Sequence, residues 1–88
     1  MLVLLMSFRV LFLPYAPGEI HEHADWTISE YASWNDIDEA VDACMGKQPL
    51  KVYIADGNDP RLERFLYRLQ KEYEMSSDDY TVIVTPND

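Results

Sequence analysis

One stretch of this chain leaves little freedom. Residues Leu50 to Tyr73 read as a strand, a tight turn and a helix. Leu50, Val52 and Ile54 alternate with Lys51 and Tyr53, the two-residue period of a strand with one buried face. Asp56-Gly57-Asn58 is turn chemistry, because glycine and asparagine take positive φ at little cost. Asp59 is an N-cap, and Pro60 stands at the first helical position, where a missing N–H does no harm. Leu62, Phe65, Leu66, Leu69 and Tyr73 then form one apolar helical stripe.

The rest of the chain is arranged around this unit. Ser7 to Leu13 is β-prone and apolar on both faces except at Arg9, as a strand inside a sheet is. Pro14 to Gly18 ends it. Glu19 to Asp25 is polar and reads as a loop or a single helical turn. Trp26 to Tyr31 alternates large apolar with small polar residues and reads as a second strand. Ser33 and Asp36 have capping-box spacing, with Asn35 as a competing cap, and open a helix whose stripe is Trp34, Ile37, Val41, Cys44 and Met45. Gly46 is the expected C′ residue, with Lys47 at the negative end of the dipole. Ser76 to Asp79 is a loop, and Tyr80 to Thr85 is the last strand.

The expected architecture is a single α+β domain over residues 1–88, with the order β-β-α-β-α-β. It forms a two-layer sandwich with both helices on one face of a four-stranded mixed sheet. The strand-helix-strand units are expected to be right-handed parallel crossovers. The other sheet face would present Lys51, Tyr53, Thr81, Ile83 and Thr85, serving either as a dimer contact or as a partly exposed face. Helices on both faces of a doubly wound sheet are the alternative.

Met1 to Met6 resembles the start of a signal h-region, but no basic segment precedes it and Arg9 interrupts it. The stretch to Leu13 is too short to span a bilayer. It reads as a buried strand with an apolar lead-in, and Met6 offers an alternative start. The single cysteine, Cys44, excludes an intrachain disulfide framework and fits a reducing, cytoplasmic setting.

Charge carries the functional reading. The net charge is −9, from 16 acids and 7 bases. That balance disfavours direct binding to nucleic acid or to an anionic membrane and favours a cationic partner. Simple solubility is the bland account. The acids are also unevenly placed. Between Val10 and Gly46 there is no Lys or Arg, while Glu19, Glu22, Asp25, Glu30, Asp36, Asp38, Glu39 and Asp42 all lie there. Tyr31 and Trp34 are interleaved with them, and Tyr and Trp are common interface anchors. Glu30, Tyr31, Trp34, Asp36, Asp38, Glu39 and Asp42 are therefore the expected partner-binding residues. Arg61, Arg64, Arg68 and Lys71 form an opposite stripe on the later helix, available to the protein's own acids, to a partner or to a second copy.

Other chemistry is thinly represented. His21-Glu22-His23 is the one metal-like spacing, with Asp25 or Glu19 as an added oxygen donor, but no second cluster completes a site. No metal and no cofactor is expected. Asp56 follows a strand end where α/β enzymes keep their sites, yet an isolated Asp there is usually turn chemistry. Phosphate loops, nucleophile elbows and CxxC pairs are absent.

In size and charge the chain is similar to the small acidic inhibitors that phages use against restriction or CRISPR machinery. The likeness is one of composition and rests on no residue motif. It implies a non-enzymatic protein that docks an acidic, aromatic surface into the nucleic-acid-binding site of a larger complex. The competing expectation is an assembly subunit that self-associates, as a homodimer for example, through an open sheet face or opposed charge stripes.

Overall fold

The computed structural model describes residues 8–15, 18–44 and 49–86. Four strands and three helices alternate: β1 (Phe8–Phe12), α1 (Gly18–His23), β2 (Trp26–Ile28), α2 (Trp34–Cys44), β3 (Leu50–Ile54), α3 (Pro60–Tyr73) and β4 (Tyr80–Val84). The sheet order is β2-β1-β3-β4, and every pairing is parallel. The expectations for Met1 to Ser7, Met45, Gly46 and Lys47 fall outside the described residues.

Three corrections follow, and all have one cause. Of the loop and the helical turn expected over Glu19 to Asp25, the helix forms, as α1 from Gly18 to His23, so the order is β-α-β-α-β-α-β and not β-β-α-β-α-β. A helix between β1 and β2 makes that connection a crossover as well, so the sheet is all-parallel and not mixed. The first crossover runs to one side of β1 and the next runs back past it. With a constant crossover hand, that reversal places α1 on the opposite face from α2 and α3. The two-layer sandwich is therefore a three-layer, doubly wound arrangement, although α2 and α3 do share one face as expected.

Strand parity sorts the core. Val10 and Phe12 of β1, with Leu50, Val52 and Ile54 of β3, face α2 and α3. There they meet Ile37, Ala40, Val41 and Cys44 from α2 and Leu62, Phe65 and Leu69 from α3. Phe12 and Phe65 pack edge to face, with centroids 5.5 Å apart. On the other side Leu11, Tyr15 and Tyr53 are buried, with Ile20 and Ala24 of the α1 segment packed against them. Tyr15 and Tyr53 meet edge to face at 6.2 Å. That face is covered over β1 and at Tyr53, whereas Thr81 is exposed and Lys51, Ile83 and Thr85 are partly buried.

Local signals explain the ends. Asp59 adopts an extended backbone and its carboxylate accepts the Arg61 N–H at 2.9 Å, the N-cap of α3, with Pro60 following. The helix stops at Glu74, which takes φ 52° and donates its N–H to the Leu69 carbonyl. For α2, the Ser33 N–H donates to Asp36 Oδ2 and the Asp36 N–H donates to Ser33 Oγ, at 2.9 and 3.2 Å, closing the reciprocal box. β2 ends at Ile28, earlier than the alternation suggests. The Ser29 hydroxyl accepts the Tyr31 N–H and the Ser29 carbonyl accepts that of Ala32, a turn that leaves Tyr31 outside the strand.

Candidate docking surface

In a parallel sheet with crossover helices, the helix N-termini gather at the C-terminal ends of the strands. There α2 and α3 bring Trp34 beside Pro60, Glu63, Arg64 and Tyr67, around a concavity of about 330 Å³. Trp34 is 55% exposed and Tyr67 54%. The Arg64 guanidinium lies 6.0 Å from the centre of the Trp34 ring, and Lys71 Nζ lies 5.9 Å from that of Tyr67. Trp34 was assigned to the apolar stripe of α2 as well as to the partner surface. The buried stripe is instead Ile37, Ala40, Val41 and Cys44, and Trp34 sits at its edge. Sequence reasoning missed Tyr67, Pro60 and Glu63. The signal was present: Tyr67 is the one aromatic of α3 that falls off the Leu62–Phe65–Leu66–Leu69–Tyr73 stripe.

The acids of α2 are largely engaged within the molecule. Asp38 accepts from Arg64 Nε and Nη2 at 3.3 and 3.2 Å, and Arg68 Nε lies 3.6 Å away. The hydrogen bond from Arg64, aided by the charges of Arg64 and Arg68, holds the Asp38 carboxyl below its ordinary range against a smaller opposing effect of burial. The same bond raises the Arg64 value. Asp42 accepts the Tyr73 hydroxyl at 2.5 Å, which pushes the phenol up. Asp36 is occupied by the α2 cap. Glu30 and Glu39 are exposed, as is Tyr31 at 86%. Two members of the basic stripe are engaged in the same way, while Lys71 stays exposed. Arg64 and Arg68 serve Asp38, and Arg68 also bonds Glu72.

Arg61 has a separate task. Its side chain is 12% exposed. Nη1 donates to the Ser29 carbonyl and Nη2 to the Leu13 carbonyl, each at 2.7 Å, while Nε and Nη2 bond the Asp59 carboxylate. The guanidinium also stacks 5.4 Å from the Phe12 ring centre. It thus lies across the C-terminal ends of β1 and β2, next to the point where the strand order reverses. Doubly wound proteins commonly bind small ligands in that crevice; here an arginine of the chain lies beside it. The Arg61 hydrogen bond holds the Asp59 carboxyl below its ordinary range.

The remaining sites resolve into local structure. Asp56 Oδ1 accepts the Asn58 N–H at 2.9 Å, a turn contact. His21 donates from Nε2 to the Tyr15 carbonyl at 2.5 Å, and Asp25 accepts the Arg9 N–H at 2.8 Å. Among the described residues no group of three His, Cys, Asp or Glu side chains is placed to hold a metal ion, and no helix is long and apolar enough to cross a membrane.

No protein-family model, no curated protein and no solved structure matches this chain.

Proposed function

We propose that this chain is a small acidic binding protein that acts by docking rather than by catalysis. Its contact centre is Trp34, Arg64 and Tyr67, and its partner is a larger protein with a basic surface. The observation that carries this reading is the pair of half-exposed aromatics flanking an arginine, the residue types that dominate binding energy at protein interfaces. The net charge of −9 supplies attraction toward a basic partner and speeds encounter at low salt. Because Asp38 and Asp42 have internal partners, the aromatics anchor the contact, while Glu30, Glu39 and Glu63 form its acidic surround.

The concrete form proposed is an inhibitor of the phage anti-restriction or anti-CRISPR kind, occupying a site that otherwise holds nucleic acid. The test is affinity capture from the native host, with wild type beside Trp34→Ala and Tyr67→Ala. The expected partner is lost with either variant, is released by salt and is displaced by DNA or RNA. Capture that survives both substitutions and high salt refutes the docking surface. Capture that nucleic acid leaves untouched refutes the inhibitory form.

A further inference from the structure

The two edges of the sheet are unlike. β2 is three residues long and stands between Asp25 and Glu30. Short strands and nearby charge are the devices that keep an edge from pairing with another chain. β4 has neither. It runs for five residues, and 80–85 contains no charge, proline or glycine. Val84 is 46% exposed, and no strand lies beyond β4 among the described residues. Gly57, where an added Cβ would come 3.4 Å from Val84 Cγ2, borders a groove of about 300 Å³ lined also by Asn58, Asp59, Leu62, Glu63 and Leu66.

We infer that β4 pairs antiparallel with β4 of a second copy across a two-fold axis, joining two four-stranded sheets into one of eight. In a register centred on Val82, Tyr80 faces Val84, Thr81 faces Ile83 and Val82 faces itself. Each is an aromatic with β-branched or a β-branched with β-branched pair, combinations that stabilise neighbouring strands. Tyr80 of the second copy then covers the exposed Val84.

Charge selects both the direction and the occupant. Antiparallel pairing sets the two copies of Asp79 six residues apart along the strands, about 20 Å. That is more than twice the screening length of about 8 Å in physiological salt. Parallel pairing would bring Asp78 and Asp79 beside their counterparts. A basic partner drawn by the net charge gains nothing at an uncharged strand, whereas this strand is complementary to itself. Pro86 has no N–H to donate and ends the ladder.

Sedimentation equilibrium from micromolar to millimolar protein tests the inference, with circular dichroism to check each variant's fold. Wild type is expected to pass from monomer to dimer mass. T81E/I83E places carboxylates opposite one another and is expected to stay monomeric. T81K/I83E places opposite charges across the same pairs and is expected to dimerise again. A monomer throughout for wild type overturns the proposal, as does a dimer that T81E/I83E leaves intact or that T81K/I83E fails to restore. Should the glutamate variant not fold, amide exchange in wild type decides. Protection at β4 that rises with concentration supports the pairing, and protection independent of concentration overturns it.

Discussion

Arg61→Ala removes a single side chain that holds three segments. The guanidinium bonds the carbonyls that follow β1 and β2 and forks onto the Asp59 cap. A hydrogen bond to a charged group contributes about 1.5–3 kcal/mol, and leaving its partner unsatisfied costs a similar amount. Two carbonyl bonds therefore set a range of about 3–6 kcal/mol, and water reaching the exposed Ser29 moves the expectation to its lower end, about 3 kcal/mol. The whole domain is expected to have about 4–13 kcal/mol of stability at ~0.05–0.15 kcal/mol per residue. The variant should therefore lose a quarter or more of it. Urea unfolding followed by tryptophan fluorescence reads this as a lower midpoint at unchanged slope. Arg61→Lys keeps the charge but lacks the fork that reaches three acceptors, and should recover less than half of the loss. A loss below about 1 kcal/mol for alanine, or wild-type stability for lysine, would refute the clamp.

Acid should act through Asp38 and Asp59. Both carboxyls are held below the ordinary value, so their contribution is present above pH ~4 and is lost as pH falls through the depressed values. Asp38→Asn should flatten the acid limb of the urea midpoint against pH. Tyr73 is shifted up, so its contribution is present below pH ~10 and is lost as pH rises through the raised value. In an alkaline absorbance titration Asp42→Asn should move the ionisation of Tyr73 to lower pH than in wild type. Ser33→Ala opens the α2 cap and should cost about 1 kcal/mol in thermal unfolding. Phe65→Ala, at the fully buried ring facing Phe12, should cost about 3–5 kcal/mol in the same measurement.

The extent of β3 and α3 could be read from the sequence because both ends of each are marked by local chemistry. The alternation stops at Asp56-Gly57, and Asp59-Pro60 is a cap with few competing meanings. The Ser33–Asp36 box was legible for the same reason. Helix α1 was legible only as one of two readings, a loop or a single helical turn, because Ile20 is its one large apolar residue and six positions are too few to show a period. Leaving that segment out of the element order made the expected sheet mixed and left its second face without a helix. Trp34 shows a different limit. An aromatic next to a helical stripe looks like core until the neighbouring helix is in place, and only then does its exposure appear. The pairing of Asp38 with Arg64 and Arg68 joins residues 26 and 30 positions apart, and depends on α2 and α3 lying side by side.

The place of β1 in the sheet bears on how the chain is made. Val10 aligns with Trp26 on one side and Val52 on the other, sixteen and forty-two residues downstream. At about 5–20 residues per second on a ribosome, the second neighbour arrives roughly 2–8 s after the first strand has been polymerised. Until then a ribbon apolar on both faces has β2 along one edge and nothing along the other. The long-range edge of β1 is therefore exposed during synthesis for longer than the local one, and a truncated chain ending before Leu50 should expose it permanently.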